Sequence, residues 1–97
     1  MWGDKLNELI DYLNYIAEQD LGAYHYRTLL MLLKRPQTQT MIGNRLGIAK
    51  QNMNKIARDL ELSGYIVVDR IEGRNKFFKV VKDIKVLQEI MKGQIKL

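Results

Sequence analysis

Apolar residues recur at three- and four-residue steps near the start of the chain: Leu6, Leu9, Ile10, Leu13, Ile16 and Ala17. That is the period of a helix with one apolar stripe. It predicts a helix over about 4–19, with Asp4 available as its N-cap. Gly22 interrupts the pattern. A second helix is predicted over about 23–34, where Tyr26, Leu29, Leu30, Met31, Leu32 and Leu33 make it apolar nearly all round. Such a helix should be buried on more than one side. Pro36 ends it, because the residue before a proline is pushed away from helical angles. Two short helices follow, at about 39–46 and 50–63, and Gly64 suits the left-handed position just past the second. The period then changes. Tyr65-Ile66-Val67-Val68-Asp69-Arg70-Ile71 and Phe77-Phe78-Lys79-Val80-Val81 are rich in β-branched and aromatic residues. Residues 72–76 between them read as the turn of a hairpin. Ile84, Leu87, Ile90 and Met91 predict a last helix over about 83–92, with Gly93 beyond it. The predicted order is helix, helix, helix, helix, strand, strand, helix: an α+β chain, mostly helical.

Ninety-seven residues, 46% of them apolar, form one domain with a real core. No cysteine is present, so disulfides and thiolate metal sites are excluded, which fits a reducing cytoplasm. The first residues lack the basic head and apolar stretch of a signal peptide. No apolar run reaches the roughly 18 residues that span a bilayer. The expectation is a soluble cytoplasmic protein. Charge changes the picture more. The net of +5 divides as −3 over residues 1–33, +7 over 34–82 and +1 over 83–97. Positive charge is thus concentrated in the middle of the chain, where a footprint for phosphates would lie.

Thr38 to Ile66 carries the most information. Thr38 is placed to cap a helix. Gly43 is small enough for a second helix to cross closely over it, and Gly47 can take the positive φ of a tight inter-helix turn. Ile42, Leu46, Ile48, Met53 and Ile56 supply the apolar contacts that fix two helices at a wide angle. If Met53, Ile56, Ala57 and Leu60 face the core, the opposite face carries Gln51, Asn54, Lys55 and Arg58. Arginine can bond guanine bidentately, and asparagine or glutamine can do the same to adenine. No carboxylate lies on that centre line; Asp59 and Glu61 fall to its sides. Lys50 and the first amides of the helix are open to a phosphate. In the hairpin, Gly73 lets the chain turn, with Arg74 and Lys76 at or beside the tip, suited to a narrow minor groove. Arg70, Lys79 and Lys82 lie along the strands.

With these residues in view, the segment from Thr38 through Lys82 resembles the winged helix-turn-helix family, and its spacing is most similar to regulators of the MarR type. The matching elements are Leu46-Gly47-Ile48-Ala49, leading into the recognition helix, and Leu60-Glu61-Leu62-Ser63-Gly64-Tyr65-Ile66, leading into the wing. Ala49 and Lys50-Gln51 stand where serine and proline are frequent in that group, and the wing is short. The layout also resembles the DNA-binding adaptors of tubulin-type plasmid partition systems. The resemblance implies double-stranded DNA as partner and a transcriptional regulator of the repressor type. Its DNA-contacting residues would be Lys50, Gln51, Asn54, Lys55, Arg58, Arg74 and Lys76. The partition resemblance implies instead a centromere- or origin-binding protein that recruits a motor or filament protein. A third reading is a winged-helix docking adaptor that binds protein and not DNA. The amphipathic helices at both ends are expected to form a homodimer.

Nothing points to catalysis. The single serine, Ser63, lies at a helix end, no phosphate-binding glycine motif occurs, and the acidic residues are scattered. His25 stands alone, without the partners a metal site needs. Phe77 and Phe78 read as strand pairing and core rather than base-stacking platforms. Neither enzyme activity nor a cofactor is expected.

Overall fold

The computed structural model describes residues 2–91, with side chains described from Lys5 to Glu89. Its elements follow the predicted order: α1 Trp2–Ala17, α2 Ala23–Lys34, α3 Gln39–Leu46, α4 Lys50–Leu62, β1 Ile66–Glu72, β2 Asn75–Val80 and α5 Ile84–Met91. Residues 92 and 93, the predicted end of the last helix and the glycine after it, lie outside the described residues.

The first helix differs from expectation in extent. It begins at Trp2, so Asp4 lies inside the first turn and is not the N-cap. It ends at Ala17, where the amides of Glu18 and Gln19 turn back to the carbonyls of Tyr15 and Ile16. Tyr12 and Ile16 are its buried residues, while Leu6, Leu9, Ile10 and Leu13 remain 37–52% exposed. The apolar stripe therefore meets the core along one edge, and its centre faces solvent.

The second helix buries Thr28, Leu29 and Leu32 and packs Tyr26, Met31 and Leu33 against the core, so it is covered on more than one side, while Leu30 is 48% exposed. Thr28 is tolerated at 0% exposure because its hydroxyl donates to the carbonyl of Tyr24. Arg35 beyond the helix is extended, as the residue before Pro36 should be.

The hairpin is tighter than its sequence suggested. Glu72 pairs with Asn75, which leaves only Gly73 and Arg74 as the loop. Gly73 has φ +61° and no other described loop residue is left-handed, the pattern of a two-residue turn with glycine first. Register shifts between Val68 and Arg70, so Asp69 sits in a bulge. One further extended residue joins the sheet: Gln37 exchanges both backbone hydrogen bonds with Phe78. This third, one-residue strand was not predicted. It ties the segment between α2 and α3 to β2.

Leu29 and Leu32 of α2, Ile42 and Leu46 of α3, and Met53, Ile56 and Leu60 of α4 share one core with Ile66, Phe78, Val80 and Leu87. Each fully buried aliphatic or aromatic side chain contributes about 1.5–3 kcal/mol. This core holds α3 and α4 against the sheet and leaves their outer faces in water.

Candidate nucleic-acid interface

The pair α3–α4 is set by three local devices. Thr38 caps α3, its hydroxyl accepting from the amide of Met41 at 3.2 Å. Gly47 ends α3 in the left-handed region at φ +69°, a conformation that favours glycine, and its amide returns to the carbonyl of Gly43. At Gly43 an added Cβ would meet Met53 Cγ at 3.4 Å, so the two helices cross with only ordinary contact to spare.

The orientation of α4 follows from its burial. Met53, Ile56, Ala57 and Leu60 are buried. Gln51, Asn54, Lys55 and Arg58 are all exposed on the other side, as is Lys50 in the first turn. Ala49 provides no side-chain cap, which leaves the first amides of α4 without that partner. Beside this face, Gln39, Thr40 and Asn44 of α3 join Lys50 and Asn54 around a groove of about 140 Å³. These three α3 residues were not singled out from the sequence. The signal was there, since 40 and 44 are one helical turn apart and opposite the buried Ile42 and Leu46.

Three carboxylates near this surface, Asp59, Asp69 and Glu72, are engaged elsewhere, while Glu61 on the flank of α4 is exposed. Asp59, on the flank of α4, lies 3.2 Å from Nε2 of His25 on α2, which turns it away from the outer face. Arg70 donates to Glu72 at 2.9 Å and to Asp69 at 3.1 Å, and its guanidinium stacks 4.0 Å above the ring of Phe77. The bond to Glu72, foremost, pushes the Arg70 pKa further above its ordinary value. Lys79 lies 3.6 Å from Asp69. Two of the strand cations are therefore already partnered. By contrast Lys50, Lys55, Arg58, Arg74 and Lys76 have no carboxylate within ion-pair distance among the described residues. Arg74 occupies the hairpin loop and Lys76 the start of β2, both exposed. Phe78 is 3% exposed and belongs to the core, while Phe77 is half-buried beneath Arg70.

A cation-bearing second helix on a short inter-helix turn, followed by a two-stranded hairpin, defines a winged helix-turn-helix. The family model for the MarR family matches residues 19–74. The chain belongs to the MarR family. Three solved structures illustrate the fold. The adhesin competence repressor AdcR from Streptococcus pyogenes is 18% identical, with a TM-score of 0.61, covering 96% of this chain and 70% of that one. A MarR family regulator from Neisseria meningitidis is 21% identical, with a TM-score of 0.59, covering 95% and 68%. ZitR from Lactococcus lactis, solved in complex with DNA, is 15% identical, with a TM-score of 0.61, covering 92% and 72%. No curated protein matches the sequence.

Proposed function

We propose that this protein is a sequence-specific double-stranded DNA-binding regulator of the repressor type that acts as a homodimer. The observation that carries this reading is the outer face of α4. Gln51, Asn54, Lys55 and Arg58 stand exposed there, opposite a buried aliphatic face, with the neighbouring Asp59 drawn off to His25. In the proposed complex α4 lies in the major groove, where Asn54 and Arg58 read base edges. Lys50, Lys55 and the first amides of α4 meet phosphates. Arg74 and Lys76 of the wing reach the backbone or the adjacent minor groove. The DNA complex of ZitR, which shares the fold, supports the choice of partner.

The homodimer is supported by the uncovered centre of the α1 stripe. Leu6, Leu9, Ile10 and Leu13 form an exposed apolar row, of the kind that marks an association surface. α5 packs beside α1.

Arg58→Ala and Arg74→Ala separate the two kinds of contact. After selection of bound duplexes from a random pool, Arg58→Ala should cost about 1–3 kcal/mol and relax preference at one base position. Arg74→Ala should weaken all duplexes more evenly. Equal affinity of the wild type and Arg58→Ala for every duplex refutes the assignment of α4.

A further inference from the structure

On the side of α3 turned away from α4 lies a second cationic surface. Gln39, Thr40, Gly43 and Asn44 line the groove toward α4, whereas Met41 and Arg45 face the end of α2. There they join Met31, Lys34, Arg35 and Gln37 around an open depression of about 470 Å³. Lys34, Arg35 and Arg45 are exposed, and no carboxylate lies within ion-pair distance of them among the described residues. The floor is firmly built. Gln37 is buried, its side chain donates to the carbonyl of Met31 at 2.8 Å, and its backbone is bridged to Phe78.

Helix dipoles favour each cation singly but do not require the two helix ends to bring them together. Lys34 in the last turn of α2 and Arg45 in the last turn of α3 each complement a helix C-terminus. Arg35, the extended C-cap residue of α2, stands at the same helix C-terminus as Lys34. Three cations from the ends of two helices thus converge on one rigid concavity. Elsewhere the strand cations Arg70 and Lys79 are matched by Asp69 and Glu72.

We infer that this depression is a second phosphate-binding surface, which takes the backbone of the duplex flanking the stretch read by α4. The inference rests on the DNA reading above and extends it. A helix-turn-helix seated in a major groove carries its first helix across the sugar–phosphate strand. The outer flank of α3 then meets the next phosphates along. Backbone contacts of this kind fix register without reading sequence, and flexible cations on a concave surface are suited to them. The contact lengthens the footprint beyond the bases that α4 and the wing can touch.

The test is the triple variant Lys34→Gln, Arg35→Gln, Arg45→Gln. It is measured on a duplex trimmed to the core site and on one extended by about ten base pairs at each end, roughly one helical turn. On the extended duplex the variant should bind about tenfold more weakly. Its log–log salt slope should be shallower by about five, since each of the two protomers loses three phosphate contacts worth roughly 0.9 apiece. On the core duplex it should match the wild type. Arg35→Gln alone, outside any helix, should make the slope shallower by about two, one contact from each protomer, and guards against a folding defect in the triple variant. Identical slopes and affinities for variant and wild type on the extended duplex overturn the inference. If the extended duplex shows no difference while the wild type binds inorganic phosphate saturably and the triple variant does not, the ligand is a free oxyanion and the inference is likewise overturned. If the wild type binds no duplex at all, the DNA reading falls and this one with it. If Arg58→Ala loses affinity while the triple variant loses none, only the flanking contact is refuted.

Discussion

Burial closes over the ring of Tyr12 to 1% exposure, and its hydroxyl meets no hydrogen-bond partner among the described residues. Other tyrosines nearby are better served. Tyr65 donates to the side-chain oxygen of Gln19 at 3.2 Å, and Tyr26 donates to the backbone carbonyl of the same residue. Burial, with Tyr65 adding to it, pushes the Tyr12 phenol well above its ordinary value. Burial also raises Tyr65 and Tyr15. A phenol whose pKa is raised by folding is held neutral in the native state. Its contribution to stability is complete below the unfolded value near pH 10, about where an unperturbed tyrosine titrates, and is lost as pH rises toward the folded value. Tyr12→Phe removes the unmatched hydroxyl and this linkage together. At neutral pH it should leave stability unchanged or raise it by about 1 kcal/mol, because a buried unsatisfied group costs about 1–3 kcal/mol. Above about pH 10 the variant should lose stability less steeply than the wild type. Urea midpoints across that range check both; a destabilised variant with the steeper alkaline loss contradicts the assignment.

At the scale of elements, the caps and turns that bound α3 and α4 were legible, whereas the cap of α1 and the length of the hairpin turn were not. Thr38, Gly47 and Gly64 stand where their side chains or their lack of one are needed: a cap, and two left-handed residues at φ +69° and +85°. Thr38→Ala should therefore destabilise the protein by about 1 kcal/mol, the usual worth of such a cap. An unchanged thermal midpoint contradicts this. The outer face of α4 was also legible, since the period that buries Met53, Ile56, Ala57 and Leu60 exposes Gln51, Asn54, Lys55 and Arg58. Three things were not. The one-residue strand at Gln37 has no period to read, because its pairing with Phe78 is wholly tertiary. The bulge at Asp69 depends on register rather than on residue type. The third is which edge of α1 meets its own core, because an amphipathic stripe gives a face and not its occupant. Here Tyr12 and Ile16 meet the core while Leu9 and Leu13 do not.

For the whole molecule, the division of charge along the chain becomes a division in space. The acidic start lies in α1 and the turn after it, and the cations gather on α3, α4, the hairpin and the end of α2. Such a field attracts a polyanion to the elements that carry the cations. The opposing feature is the uncovered row of Leu6, Leu9, Ile10 and Leu13, which a second copy would bury in the proposed dimer. No described helix is long and apolar enough to cross a membrane. Because the chain has no cysteine, Asn54→Cys gives a single thiol on the outer face of α4, to which a DNA-cleaving iron chelate can be attached. Bound to its selected duplex, the labelled protein should cut in the major groove in two clusters, about 34 Å apart for half-sites one helical turn apart. A single cluster would contradict the homodimer. Cuts confined to the minor groove, or none from a bound complex, would contradict the placement of α4.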